Sequence, residues 1–203
     1  MIKRISIVLL FFLIAGGVIS MAQELTYEWL CPGTGLTYQV NTHEGDYQYI
    51  VSIKELYPGL SFRWDMTFPV RADGTVAISM EAMDIATTQR NSFSIFGGDL
   101  ELEDETSVWV SKKVYRALKA QNPVSINSGS SDKNEILIYL TNTTYQTQLN
   151  DSVVQLPALY AETDAGNKYW ILDNADNPII LKMTIQFNIQ LTNIMTKEYL
   201  EKE

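Results

Sequence analysis

Only a few residue types in this 203-residue chain can do chemistry, because it holds one histidine and one cysteine. Asp99, Glu101, Glu103 and Glu105 alternate with Leu100, Leu102 and Asp104. Carboxylates so closely spaced suit calcium, which takes several oxygen ligands. The simpler reading is a solvated, charged strand edge that discourages aggregation. Asp173-Asn174-Ala175-Asp176-Asn177-Pro178 gathers side-chain oxygens in a second place. It lacks the glycine and distal glutamate of a helix-loop-helix calcium loop, and Asp and Asn also build turns by bonding their own backbone. Lys112, Lys113, Arg116 and Lys119 crowd four cations into eight positions. On an acidic protein they would meet an anionic lipid or an acidic partner, or simply form a solvated helix face. Lys112, Arg116 and Lys119 are the candidate partner-binding residues.

Nucleophilic catalysis finds little support. His43 lies in a predicted hairpin loop, Asn41 to Asp46, and a catalytic histidine needs a nucleophile and an orienting carboxylate beside it. No serine sits in a G-x-S-x-G elbow. Asp73-Gly74-Thr75 is not the Asp-Thr/Ser-Gly order of an aspartic protease, and Gly33-Thr34-Gly35 is too short for a phosphate loop. No catalytic residue, metal ligand or cofactor is therefore expected. Two alternatives stay open. Tyr38, Tyr47, Tyr49 and Trp64 would make a sugar-stacking platform if exposed, or a β core if not. Asp65, Glu81 and Asp84 would serve a hydrolase if the fold brought them together in one pocket.

The chain start reads as an address. Lys3 and Arg4 precede an apolar run from Ile5 to Ile14, and Ser20 and Ala22 take the small-residue positions before a cut at Gln23. That is the form of a secretory signal peptide over 1–22, leaving 23–203 as one β-rich domain. The rival is an uncleaved anchor, since Ile5 to Gln23 barely spans a bilayer. Cleavage moves the net charge from −9 to −11. The expected location is the periplasm or the exterior, with no transmembrane span after cleavage. Strong acidity argues against nucleic acid, which needs a basic surface. Cys31 has no partner for an internal disulfide and is expected to be buried as a small hydrophobe.

Strand signals dominate the elements that must position these residues. Leu60, Phe62, Trp64, Met66 and Phe68 alternate with polar residues, as do Tyr47, Tyr49, Val51 and Ile53. Ala72-Asp73-Gly74-Thr75 reads as a hairpin turn leading into a strand from Thr75 to Met80. Leu181, Met183, Ile185, Phe187, Ile189 and Leu191 alternate with polar residues through Thr192, which predicts one strand of twelve residues. Further strands are expected at Thr34–Asn41, Ser92–Phe96, Val124–Asn127, Glu135–Asn142, Val153–Thr163 and Asn167–Leu172. One helix, Lys112 to Ala120, is capped by Ser111 and buries Val114 and Leu118. The predicted architecture is mainly β: a curved antiparallel sheet or half-open β-barrel, with one short helix packed on or in it.

Two stretches also carry a resemblance. TSVWVSKKVYRALKAQNPV, Thr106 to Val124, and YWILDNADNPIIL, Tyr169 to Leu181, resemble uncharacterised β-rich periplasmic proteins of Gram-negative bacteria. The resemblance implies a half-barrel somewhat like the lipoprotein-carrier fold. Its motifs are a capped helix and a tight turn, so it transfers no functional residues.

The leading expectation is a non-enzymatic exported envelope protein. It would bind a lipid or other hydrophobic small molecule, or an envelope protein, in the concavity of its sheet. Met183, Ile185, Phe187 and Ile189 are the candidate ligand-binding residues, since a curved sheet shelters an apolar face. A carbohydrate-binding or adhesion module and a hydrolase with dispersed carboxylates are the alternatives.

Overall fold

The structure is a computed structural model and describes residues 27–67, 71–91, 97–129 and 133–202. Residues 1–22, expected to form a signal peptide, the strand expected at Ser92–Phe96, and Phe68 lie outside the described residues.

Four strands come first: β1 (Gly35–Thr42), β2 (Gly45–Glu55), β3 (Leu60–Met66) and β4 (Ala72–Ile78). A middle stretch follows with α1 (Met80–Ile85), β5 (Thr88–Gln89), β6 (Leu100–Leu102), β7 (Glu105–Thr106), α2 (Lys112–Lys119) and β8 (Val124–Ile126). The last part holds β9 (Glu135–Leu149), β10 (Ser152–Thr163), β11 (Lys168–Leu172), β12 (Ile180–Thr184), β13 (Asn188–Met195) and α3 (Lys197–Leu200). Eleven strands join one curved sheet in the order β6-β4-β3-β2-β1-β13-β12-β11-β10-β9-β8, while β5 and β7 form a small separate pair. The second half of β13 also pairs with β9, Asn193 opposite Gln148 and Ile194 opposite Leu149, so the sheet curls back on itself. This is the mainly β, curved architecture that the alternation predicts. Among the described residues, neighbouring strands are antiparallel except at β4–β6, β13–β9 and the separate pair β5–β7. The chain reaches β6 through α1 and β5, and such a crossover returns a strand in the parallel sense.

The register carries one apolar stripe across most of the sheet. Val76 lies opposite Phe62, Val51 opposite Trp64, and Tyr38 opposite both Tyr49 and Leu191. Val40 faces Ile189, Ile189 faces Met183, and Met183 faces Tyr169. Directly paired residues share a face, so this stripe is the inner face of the sheet. The middle stretch lies over it. Trp109 is fully buried and stacks on Phe62, with ring centroids 5.7 Å apart. Val108 accepts from Ile180 N–H at 2.8 Å, and Val110 N–H donates to Pro178 at 3.0 Å. Helix α2 covers the far half. Its Ser111 cap accepts from Val114 N–H at 3.3 Å, and Val114, Tyr115 and Leu118 are buried. They pack with Leu137, Leu159, Tyr169, Ile171 and Met183 in a second apolar cluster. Each such fully buried aliphatic side chain stabilises the fold by about 1.5–3 kcal/mol.

Four local expectations are corrected. Leu181 to Thr192 is not one strand. β12 ends at Thr184, Ile185-Gln186-Phe187 turn the chain, and β13 returns with Met183 opposite Ile189 and Thr184 opposite Asn188. A three-residue turn leaves odd-numbered residues inward in both arms, so the alternation runs through it unbroken. Asp73-Gly74 is not a turn but lies inside β4, where Asp73 faces Asp65 and Gly74 faces Trp64. Gly74 is required there by a close approach, since a Cβ would stand 1.8 Å from the Gly98 carbonyl oxygen. Finally, α1 and α3 accompany the one predicted helix, and Cys31 is half-buried rather than buried.

Candidate functional site

The inner face is closed at one end and open at the other. Beneath the Ser111 end of α2, a residual space of about 10 Å³ remains among Val110, Val114, Leu137 and Tyr169. At the other end lies a cavity of about 340 Å³. Two hairpin tips frame its mouth: Thr42, His43 and Glu44 between β1 and β2, and Gln186 and Phe187 between β12 and β13. These tips are neighbours because β1 pairs with β13, with Asn41 opposite Asn188. Alternation then points Tyr38, Val40, Tyr49, Met183 and Ile189 inward as the walls. Met66, Val108 and Ile180 add apolar wall, and Tyr47, Asn91 and Ser107 also line the space.

The walls are apolar or neutral. The Tyr38 hydroxyl donates to the Ile180 carbonyl at 3.1 Å, which ties β1 to β12 across the cavity base. Burial holds the Tyr38 and Tyr49 phenols well above their ordinary pKa, so both stay neutral at physiological pH. Tyr47 is raised by partial burial and then by the Glu44 carboxylate. Tyr49 stacks on Trp64 with centroids 6.2 Å apart, which braces the wall from behind. His43 Nε2 lies 3.7 Å from Glu44 Oε1 in a largely exposed tip.

Three of the four candidate ligand-binding residues, Met183, Phe187 and Ile189, line this cavity. Ile185 does not. It sits in the turn and packs against the cluster under α2. Met183 and Ile189 keep the inward direction because they lie in the two arms of the hairpin, while of the two turn residues Phe187 reaches the cavity and Ile185 does not. The remaining walls escaped sequence reading. Tyr38, Val40 and Tyr49 alternate visibly, yet nothing local to β1 and β2 says that their face stays uncovered. Compared with family models, curated proteins and solved structures, the chain finds no match. The chemistry of the site therefore rests on its own geometry.

The other candidates are dispersed. Tyr38, Tyr49 and Trp64 are buried and Tyr47 half-buried, so they form wall and core, not an outer sugar platform. Asp65 faces Asp73 in the sheet register, Glu81 is exposed in the first turn of α1, and Asp84 holds Lys112 at 3.4 Å. None of these carboxylates lines the cavity. Asp99 accepts from Thr75 N–H at 2.9 Å and Glu105 pairs with Arg90 at 2.9 Å, while Glu101 on the outermost strand β6 and Glu103 just beyond it are exposed. In the Asp173 turn, Asn174 Oδ1 accepts from the Asp176 and Asn177 N–H groups at 3.0 Å. Asp173 accepts from the Tyr115 hydroxyl at 2.7 Å and holds Lys119 at 3.0 Å. Among the described residues no group of three His, Cys, Asp or Glu side chains is placed to hold a metal. Of the candidate partner-binding residues, Lys112 and Lys119 are thus paired within the molecule, and Arg116 is exposed. No helix of the described residues is long and apolar enough to cross a membrane.

Proposed function

We propose that this chain is an exported, non-enzymatic envelope protein that binds a hydrophobic small molecule in the cavity between its β1–β2 and β12–β13 tips. The observation that carries the reading is the cavity itself. At about 340 Å³ it falls within the range of small-molecule sites, which are typically apolar-walled with a few polar groups at chosen points. The basic, apolar and small-residue sequence of 1–22 supports export. The dispersal of Asp65, Glu81 and Asp84 away from the cavity favours binding over hydrolysis.

Two measurements test this. Native mass spectrometry of protein purified from its own cells is expected to show a co-purified small molecule, one per chain. The uncharged fluorophore N-phenylnaphthylamine is expected to brighten and saturate at one site on the stripped protein. Bare polypeptide in the spectrometer, together with no rise in emission, overturns the proposal.

A further inference from the structure

The charge of the lining selects among hydrophobic ligands. Among the described residues that line the cavity there is no lysine or arginine, and Glu44, at its mouth, is the one carboxylate. Other cations are engaged elsewhere: Arg63 with Asp73, Arg90 with Glu105, Lys112 with Asp84 and Lys119 with Asp173. A carboxylate drawn into this space would lose water and gain no cation, which is costly in an apolar setting. Glu44 and a net charge of −9 oppose it further.

A neutral polar group meets a different surface. Ser107 lines the cavity, is 2% exposed, and its hydroxyl makes no hydrogen bond to the protein among the described residues. The other polar side chains at the rim are partly committed. Thr42 Oγ1 donates to the Gly45 carbonyl at 2.9 Å, and the Asn91 amide donates to the Ser128 carbonyl. A wall hydroxyl of this kind can donate one hydrogen bond and accept another, so it can receive the polar end of a ligand.

We infer that the cavity takes apolar molecules whose polar end is an uncharged hydroxyl or carbonyl, received by Ser107, and rejects carboxylates such as fatty acids. This rests on the cavity being a binding site, and the test separates the two ideas. N-phenylnaphthylamine bound to the stripped, full-length protein is displaced with decanol and with decanoate, which share one chain length and differ in charge. Decanol is expected to displace it at roughly tenfold lower concentration or better. Ser107→Ala removes one neutral hydrogen bond and is expected to weaken decanol by roughly threefold to tenfold. Glu44→Lys, at an exposed hairpin tip, supplies the missing cation and is expected to narrow the gap for decanoate. Circular dichroism confirms that both variants are folded.

Decanoate equal to or tighter than decanol overturns the inference and leaves the binding cavity standing. So does a gap that neither substitution moves, because Ser107 and the missing cation would then not be its source. A fluorophore that never binds overturns the cavity reading and this inference with it.

Discussion

The two ends of the inner sheet face are built from similar residues and finish in opposite states. Under α2, Val114 and Leu118 descend onto Leu137, Leu159 and Ile171, and a space of about 10 Å³ is left, room for about one water. Between the hairpin tips, Tyr38, Val40, Tyr49, Met183 and Ile189 face a cavity of about 340 Å³. Apolar alternation is present in both. What differs is the cover. A capped helix supplies a second apolar layer at one end, while the tips at the other end carry Thr42, His43, Glu44 and Gln186, which stay at the rim. Burying an apolar face is therefore the work of the element opposite it, and a strand pattern alone says only that some cover is needed.

This contrast is best broken by making each end behave like the other. The largest effect is expected from Leu118→Ala, which opens a cavity in the filled end. It should cost about 2–5 kcal/mol in denaturant unfolding and leave fluorophore binding per folded molecule unchanged. Loss of binding in proportion to stability would show that the two ends are one cooperative site.

Alkaline unfolding comes next, and it touches both ends. Burial raises Tyr38 and Tyr49 in the open end and Tyr169 in the filled one, and pushes Tyr145 up to about 12. These phenols are neutral in both states below about pH 10, so their contribution is fully present there. Above it the unfolded chain releases protons that the folded chain retains, and stability falls as pH rises through the folded values. Thermal melts from about pH 9 to about pH 12 should show a steady decline in Tm beginning near pH 10. A flat profile across that window would contradict the burial of these rings.

Filling the open end gives the converse of Leu118→Ala. Ile189→Trp puts bulk into existing space, so stability should move by less than about 1.5 kcal/mol, while fluorophore affinity drops by roughly tenfold or more. Unchanged affinity would place the bound fluorophore elsewhere. The smallest effect is expected from Ser111→Ala, which removes the cap on the covering helix. A loss of about 1 kcal/mol in denaturant unfolding, with binding unaltered, is expected.

Much of this was legible. Alternation located β2, β3, β10 and β11 closely, and Ser111 followed by Val114 and Leu118 marked both the start and the buried side of α2. The Asp173 segment is a turn that bonds its own backbone, and Glu101 is exposed on the edge strand β6. The failures share a cause. Ile185-Gln186-Phe187 contains no glycine, proline, asparagine or aspartate, and its length preserves parity, so period and turn chemistry both pass over it. Asp73-Gly74 carries a strong turn signal, yet the backbone of Gly98 lies against Gly74, a contact twenty-four positions away that favours glycine in a strand. Of the cavity, Met183, Phe187 and Ile189 were readable as inward-facing; Ser107 was not, since a lone serine beside Val108 and Trp109 has no local signature.

By itself the sequence determined the β class, the capped helix with its apolar stripe, and the inward direction of Met183 and Leu191. Those follow from side-chain period, propensity and capping, which act between residues a few positions apart. Only the tertiary structure decided that β12 and β13 are two strands, that β13 meets β9, and that one end of the inner face is sealed while the other opens. Those outcomes depend on contacts between residues far apart in the chain, and no local preference along β1 or β12 distinguishes a face that will be covered from one that will not.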